Sequence, residues 1–222
     1  VVFAYKKKDG PFRIHEIDLD PSTGLMVPGS LRQLTFGTDE EAKAFRCNIV
    51  NSGITRFHDI DPCYLPDGKI MLASTRATRI VFCAPGATVT TLYLMDADGK
   101  NLHRISESPV NETAPSVMND GRVIYTRWEY TDKPLWRAQK LWTVNPDGTQ
   151  VLMYWGNQSV WPDLMKDARS IPGSRRVMFT GSAHHNWFSG SLGIIDVGKG
   201  LNFPGGLTKV TADVPWPECG NG

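Results

Sequence analysis

Three donors for a cation stand close together in HDIDPCYLPDG: His58, Asp59 and Asp61. Carboxylates at this spacing suit a hard ion such as calcium, and the imidazole adds a donor for zinc. The competing reading is that these side chains cap a turn and a strand end, as Asp and His commonly do near turns. A second candidate is the pair His184 and His185 in the loop GSAHHNWFSGS, because imidazoles bind transition metals and carry protons near neutral pH. Adjacent residues on an extended segment point opposite ways, so one of the two at most faces a given site. Cys83, in STRATRIVFCAPGATVTT, offers a thiolate for a metal. A small buried hydrophobe is its alternative role.

Arg127, Trp128, Glu129 and Tyr130 leave a strand together. An arginine beside aromatics is the composition of a protein or ligand contact, while Trp128 and Tyr130 equally suit a core between sheets. Nothing in the chain resembles a Gly-x-Ser-x-Gly elbow, a phosphate-binding glycine loop or a His-Glu-x-x-His pair, which disfavours hydrolase and nucleotide chemistry. No catalytic residue is assigned, and whether the protein is part of an enzyme is left open. Cys-x-x-Cys-His is also missing, so covalent c-type haem is not expected on these residues.

The bulk composition narrows the partners. With 24 basic against 23 acidic side chains, no whole-molecule field draws in nucleic acid or an anionic membrane. No stretch reaches the roughly 18 to 20 apolar residues of a membrane span. The four cysteines, Cys47, Cys63, Cys83 and Cys219, are too scattered for a disulfide framework or a Cys-x-x-Cys zinc site. The start, VVFAYKKKDG, has neither an initiator methionine nor a signal-peptide pattern, and the native N-terminus is expected upstream.

The elements that must position these residues show as a repeat. A proline opens a short strand at Pro62, Pro115, Pro162 and Pro215, at spacings of 53, 47 and 53 residues. A second series ends in polar turns: IHEIDLDPSTG, LYLMDADG, LWTVNPDG and LGIIDVGKG. Asp67-Gly68, Asp98-Gly99, Asp120-Gly121 and Asp147-Gly148 are read as hairpin turns whose positive φ glycine adopts freely and aspartate at small cost. About 50 residues per four-stranded unit is the size of a propeller blade. The expected fold is therefore all-β, a β-propeller of four-stranded antiparallel blades. Its units run approximately 1–37, 56–107, 108–158 and 159–212, and 213–222 form the first strand of a further or ring-closing blade. The stretch from Thr38 to Thr55 is an insertion, a surface loop or short helix. Of the two readings, a small ring closed by the C-terminal strand and an excerpt of a larger propeller of six to eight blades, the second is preferred because the cuts fall inside a blade at both ends.

The block DPCYLPDGKIMLASTR, followed by LMDADGKNLHRIS, resembles the TolB-type propeller repeat, with its Asp-x-x-Pro, Pro-Asp-Gly and a strand ending near Ser-x-Arg. Across residues 58–200, HDIDPCYLPDGKI, STRATRIVFC, NDGRVIYTRWEYTDK, LWTVNPDGT and GSLGIIDVGKG are similar to the propeller of the hydrazine synthase alpha-subunit family. That resemblance implies an extracytoplasmic module that supports haem-bearing domains and partner subunits in a redox complex of nitrogen metabolism, with c-type haem on neighbouring domains. Relatives often carry a further cysteine soon after the arginine; Ala77 stands there, which weakens a two-thiolate site. A haem-free TolB-like propeller that binds protein or peptide is the alternative function.

Overall fold

The computed structural model describes residues 1–38, 41, 56–81, 84–129, 138–159, 161–183 and 190–214. Cys47, Cys83, Tyr130, His184, His185, Pro215 and Cys219, with nearly all of the insertion after Thr38, lie outside the described residues. The chain divides into two compact units, Val1–Pro109 and Val110–Gly222. The all-β expectation holds: the described residues are strands and turns with almost no helix.

In the first unit, β1 (Val2–Lys6), β2 (Phe12–Glu16) and β3 (Arg32–Gln33) form one antiparallel sheet in that order. A second antiparallel sheet is built from β4 (Asp59–Tyr64) and β5 (Ile70–Ser74). After β5 the chain makes a small ribbon, β6 (Ile80–Val81) with β7 (Ala84–Thr88), and then returns to the sheet as β8 (Thr91–Met95) and β9 (His103–Arg104). Alternation places Ile70 and Leu72 of β5, with Tyr93 and Met95 of β8, on one face, where they pack with Ile14 and Leu34. Every residue of β5 and of β8 is buried, so both faces of this sheet are covered.

The second unit carries β10 (Glu112–Val117), β11 (Val123–Trp128), β12 (Gln139–Val144) and β13 (Leu152–Trp155), then β14 (Leu164–Ser170), β15 (Val177–Ser182), β16 (Gly190–Ile195) and β17 (Leu207–Lys209). Among the described residues all its strand pairings are antiparallel except one parallel pair, Gln139 with Leu164, that links the two groups of strands. Ile124, Leu141, Trp155, Met165, Phe179 and Ile195 belong to one buried cluster that joins them.

The repeat device is a bulge. Register shifts fall between Ile60 and Cys63, Thr113 and Ser116, and Lys166 and Arg169. The first extra residue has φ of 50° at Asp61, 53° at Ala114 and 52° at Asp167. A bulge interrupts the ladder, which is where a proline, having no N–H to donate, fits a strand, and Pro62 and Pro115 follow the first extra residue. The third counterpart is Ala168, not Pro162. Pro162 precedes β14, so the proline spacing of 47 is a slip of register and the structural spacing is uniform at 53.

The four Asp-Gly turns also differ from expectation. Only the glycines have positive φ: 85° at Gly68, 83° at Gly99, 87° at Gly121 and 86° at Gly148. Each aspartate instead accepts, through Oδ1, the N–H two residues on: Lys69, Lys100, Arg122 and Thr149. Gly121→Ala meets open space, so its cost is conformational, about 1–2 kcal/mol. At Gly99 a Cβ would also lie 2.3 Å from the Leu34 carbonyl oxygen, adding roughly 1–3 kcal/mol. Urea unfolding of the two variants checks the order; an equal loss removes the contact between the turn and Leu34 from the explanation.

Candidate functional site

Asp59 begins β4 opposite Ser74, the last residue of β5, and its side chain is fully buried. Ser74 Oγ donates to its Oδ1 at 2.7 Å and Arg76 Nε to the same oxygen at 2.9 Å. Arg76 Nη2 donates to Oδ2, also at 2.9 Å. Arg13, from β2, reaches Oδ2 at 3.5 Å. The Phe57 ring lies against both cations, with the Arg13 and Arg76 guanidinium carbons 4.4 and 4.3 Å from its centroid. Such stacking attracts a cation while covering it with carbon. Arg76 Nη1 also pairs with Glu41 at 2.7 Å. Glu41 in turn exchanges bonds with Thr38: the Thr38 N–H donates to the Glu41 carboxylate and the Glu41 N–H to Thr38 Oγ1, the reciprocal pattern of a capping box.

The electrostatics follow from that packing. Burial depresses the Arg13 pKa, with Asp59 opposing and Arg76 adding to the depression. Burial would depress Arg76 as well, but its bonds and charge contacts with Asp59 and Glu41 outweigh this and hold its pKa above the ordinary value. His58 is pushed below the usual imidazole range, first by burial and then by Arg13 and Lys6. Its Nδ1 accepts the Phe12 N–H at 3.1 Å.

The structure therefore brings His58 and Asp59 to one end of the second sheet but turns each toward a protein partner. Asp59 holds two arginines, His58 takes a backbone N–H, and Asp61 occupies the β4 bulge. Among the described residues no group of three His, Cys, Asp or Glu side chains is placed to hold a metal ion. A carboxylate whose oxygens accept from Ser74 and Arg76 serves as an anchor between strands, which is the capping alternative in a stronger form. Arg76 was legible as the end of Ser-x-Arg. Arg13, 46 residues from Asp59, and Phe57, two residues before it, carry no local signal of this role.

The second unit repeats the theme at the same end of its own sheet. Glu112, nearly inaccessible, begins β10 opposite Arg127. Its Oε1 lies 3.8 Å from Arg127 Nη1, and the Arg127 guanidinium carbon sits 4.7 Å from the Trp142 ring centroid. Arg127, expected at a contact surface, is thus engaged on its own sheet. Trp128 pairs with Gln139 and is half-buried, its N–H donating to the Asn111 carbonyl. The neighbouring Tyr125 hydroxyl is buried, and burial raises its pKa, with Glu112 reinforcing the shift.

At the opposite, turn-bearing end of the second unit is an open cleft of about 420 Å³, its walls including Met118, Tyr154, Val197, Arg122 and Arg175. Both arginines are already paired, Arg122 with Asp120 at 2.7 Å and Arg175 with Asp196 at 3.2 Å. The Asn119 amide donates to the Ile171 and Ser174 carbonyls across the cleft and fixes its two lips.

No protein-family model matches the chain, and no curated protein does. Solved structures do. TolB from Acinetobacter baumannii superposes with a TM-score of 0.52 at 11% identity, over 95% of this chain and 40% of that one. A puromycin-hydrolysing peptidase of Mycobacterium tuberculosis gives 0.52 at 10% identity, over 96% of this chain and 27% of that one. Hydrazine synthase of Kuenenia stuttgartiensis gives 0.48 at 14% identity, over 85% and 24%. The chain spans less than half the length of each. At these identities the likeness concerns the fold alone, and that fold is a TolB-like β-propeller.

Proposed function

We propose that this chain is the propeller module of an extracytoplasmic protein of the hydrazine synthase alpha-subunit kind, and that it docks haem-bearing domains and partner subunits. What supports the docking role is the connection between β5 and β8. A sheet buried at every position of both strands extends the separate β6–β7 ribbon, in which Ile80 is exposed. Arg79 fastens the base of the ribbon through the Glu107 and Ser108 carbonyls. A connecting segment fixed to a rigid frame is the usual arrangement of a recognition element. Cys83, Tyr130, His184 and His185 fall in the corresponding second-to-third-strand connections of their repeats, so four chemically versatile side chains share one class of loop. The redox setting rests on the strings TRWEYTDK and DPCYLPDGKI.

Replacing residues 77–90 by a tight Asp-Gly turn tests the docking role. The expected result is loss of the partner from affinity co-purification of the intact protein, with the circular dichroism of the strands unchanged. Full retention of the partner overturns it. Recovery of a partner without haem favours the other reading, a haem-free interaction platform.

A further inference from the structure

The cleft at the turn-bearing end of the second unit lies between two groups of four strands, β10–β13 and β14–β17. Its lips are the β10–β11 and β14–β15 turns, and Asn119 bridges them. The Asn119 N–H donates to Ser170 Oγ at 3.3 Å, and its amide to the Ile171 and Ser174 carbonyls, both at 2.9 Å. The lips are thus bound to each other around an opening of about 420 Å³, a size within the range of small-molecule pockets. The floor is apolar. Met118 and Tyr154 belong to the buried cluster of this unit and Val197 packs against it, so the core reaches the surface here and offers carbon to a flat ring.

The rim carries one cation with donors to spare. Arg122 gives Nε and Nη2 to Asp120 and Nη1 to Thr143 Oγ1. Arg175 engages Asp196 through Nε alone, at 3.2 Å, leaving Nη1 and Nη2 without a hydrogen bond among the described residues. Its side chain is 70% exposed. Two contacts set its place. Asp196 caps the short 3-10 turn Val197–Lys199, accepting the Gly198 N–H at 3.1 Å on the same oxygen that takes Arg175 Nε. The guanidinium lies on the bare α-carbon of Gly198, where a Cβ would stand 2.3 Å from Nη2 and 2.5 Å from Cζ. A guanidinium held at Nε and seated on one face presents its Nη1–Nη2 edge, the fork that grips a carboxylate through two parallel bonds. Asp120 and Asp196 balance the two arginines, so recognition rests on that fork and not on a net field.

We infer that this cleft binds a small aromatic carboxylate, its ring against Met118, Tyr154 and Val197 and its carboxylate on the Nη1–Nη2 fork of Arg175. The site shares no residue with the β6–β7 ribbon, so its failure leaves the docking role of the ribbon standing.

Amide NMR of the whole chain, titrated with naphthoate at millimolar concentration, reads binding. Resonances of residues 118–122, 170–175 and 196–199 shift together and saturate. Naphthamide, alike in shape but uncharged, binds about tenfold more weakly. Arg175→Lys keeps the charge without the fork and weakens naphthoate about fivefold. Gly198→Ala pushes the guanidinium off its seat and weakens it about tenfold, with the circular dichroism unchanged. If Gly198→Ala fails to fold, Arg175→Lys decides. The peptide Gly-Ser-Gly-Phe with a free C-terminus separates two sources of the same chemistry. Tighter binding than naphthoate assigns the cleft to the end of a polypeptide, and weaker binding to a free acid. Absence of saturable shifts overturns the inference. So does equal binding of acid and amide, and so does undiminished binding by either variant that folds.

Discussion

Asp59→Ala lowers the unfolding free energy by about 3–5 kcal/mol, the range for removing one partner of a buried ion pair. The cause is less the lost bonds than what remains: Arg76 and Arg13 held against Phe57 with Glu41 as the only other carboxylate on Arg76 among the described residues. Asp59→Asn keeps the shape and an acceptor oxygen and costs less, roughly 1–3 kcal/mol. Because the groups form one network, Asp59→Ala and Arg76→Ala together cost less than the sum of the single changes. Urea unfolding followed by tryptophan fluorescence measures all four proteins. A loss under 1 kcal/mol for Asp59→Ala would show that the network does not hold β4 to β5 and would return Asp59 to the candidates for ligand binding.

Trp155→Ala in the second unit costs about 3–5 kcal/mol as well, by a different mechanism. The ring is 1% exposed and belongs to the cluster with Leu141, Met165 and Phe179, so truncation leaves a cavity. Its Nε1 also donates to the Gly205 carbonyl at 3.0 Å, tying β13 to the turn before β17. Trp155→Phe refills much of the cavity but orphans that carbonyl, at roughly 1–3 kcal/mol. Hydrogen exchange separates the two contributions: both variants speed exchange in residues 200–206, while only the alanine variant loosens β12 and β15. Unchanged exchange at 200–206 would show that the indole bond does not restrain the turn.

The propeller class was readable because the features that make it are local. Glycine with positive φ after aspartate recurs at 68, 99, 121 and 148, and the unbroken apolar runs LYLM and VIY face buried surfaces on both sides. The proline series was readable only in part. A bulge demands a residue that needs no N–H partner, not proline itself, so Ala168 fulfils the role without a sequence signal, and Pro162 took its place in the spacing. The aspartates of the turns were assigned to the correct positions for the wrong reason, since an Asx-type bond and a positive φ favour the same residue type.

The candidate site was less legible. His58 and Asp59 stood out as polar residues near a strand, yet what Asp59 does depends on Arg13, 46 residues away, and on Phe57, whose place between two guanidinium groups no spacing reveals. Arg127 looked like a surface contact because its partner, Trp142, lies across a strand pair and its acid, Glu112, across another. Both cases follow the same physics: a charge at the end of a buried sheet cannot stay unpaired, and its partner arrives from a neighbouring strand rather than from the same segment.

Absorption spectroscopy of the complex isolated with the intact protein from its native cells is the most direct test of the role proposed for this chain. Bands of c-type haem, lost from the preparation when residues 77–90 are replaced, are the predicted result. A stable complex free of haem, with its partners retained by the same variant, would contradict it.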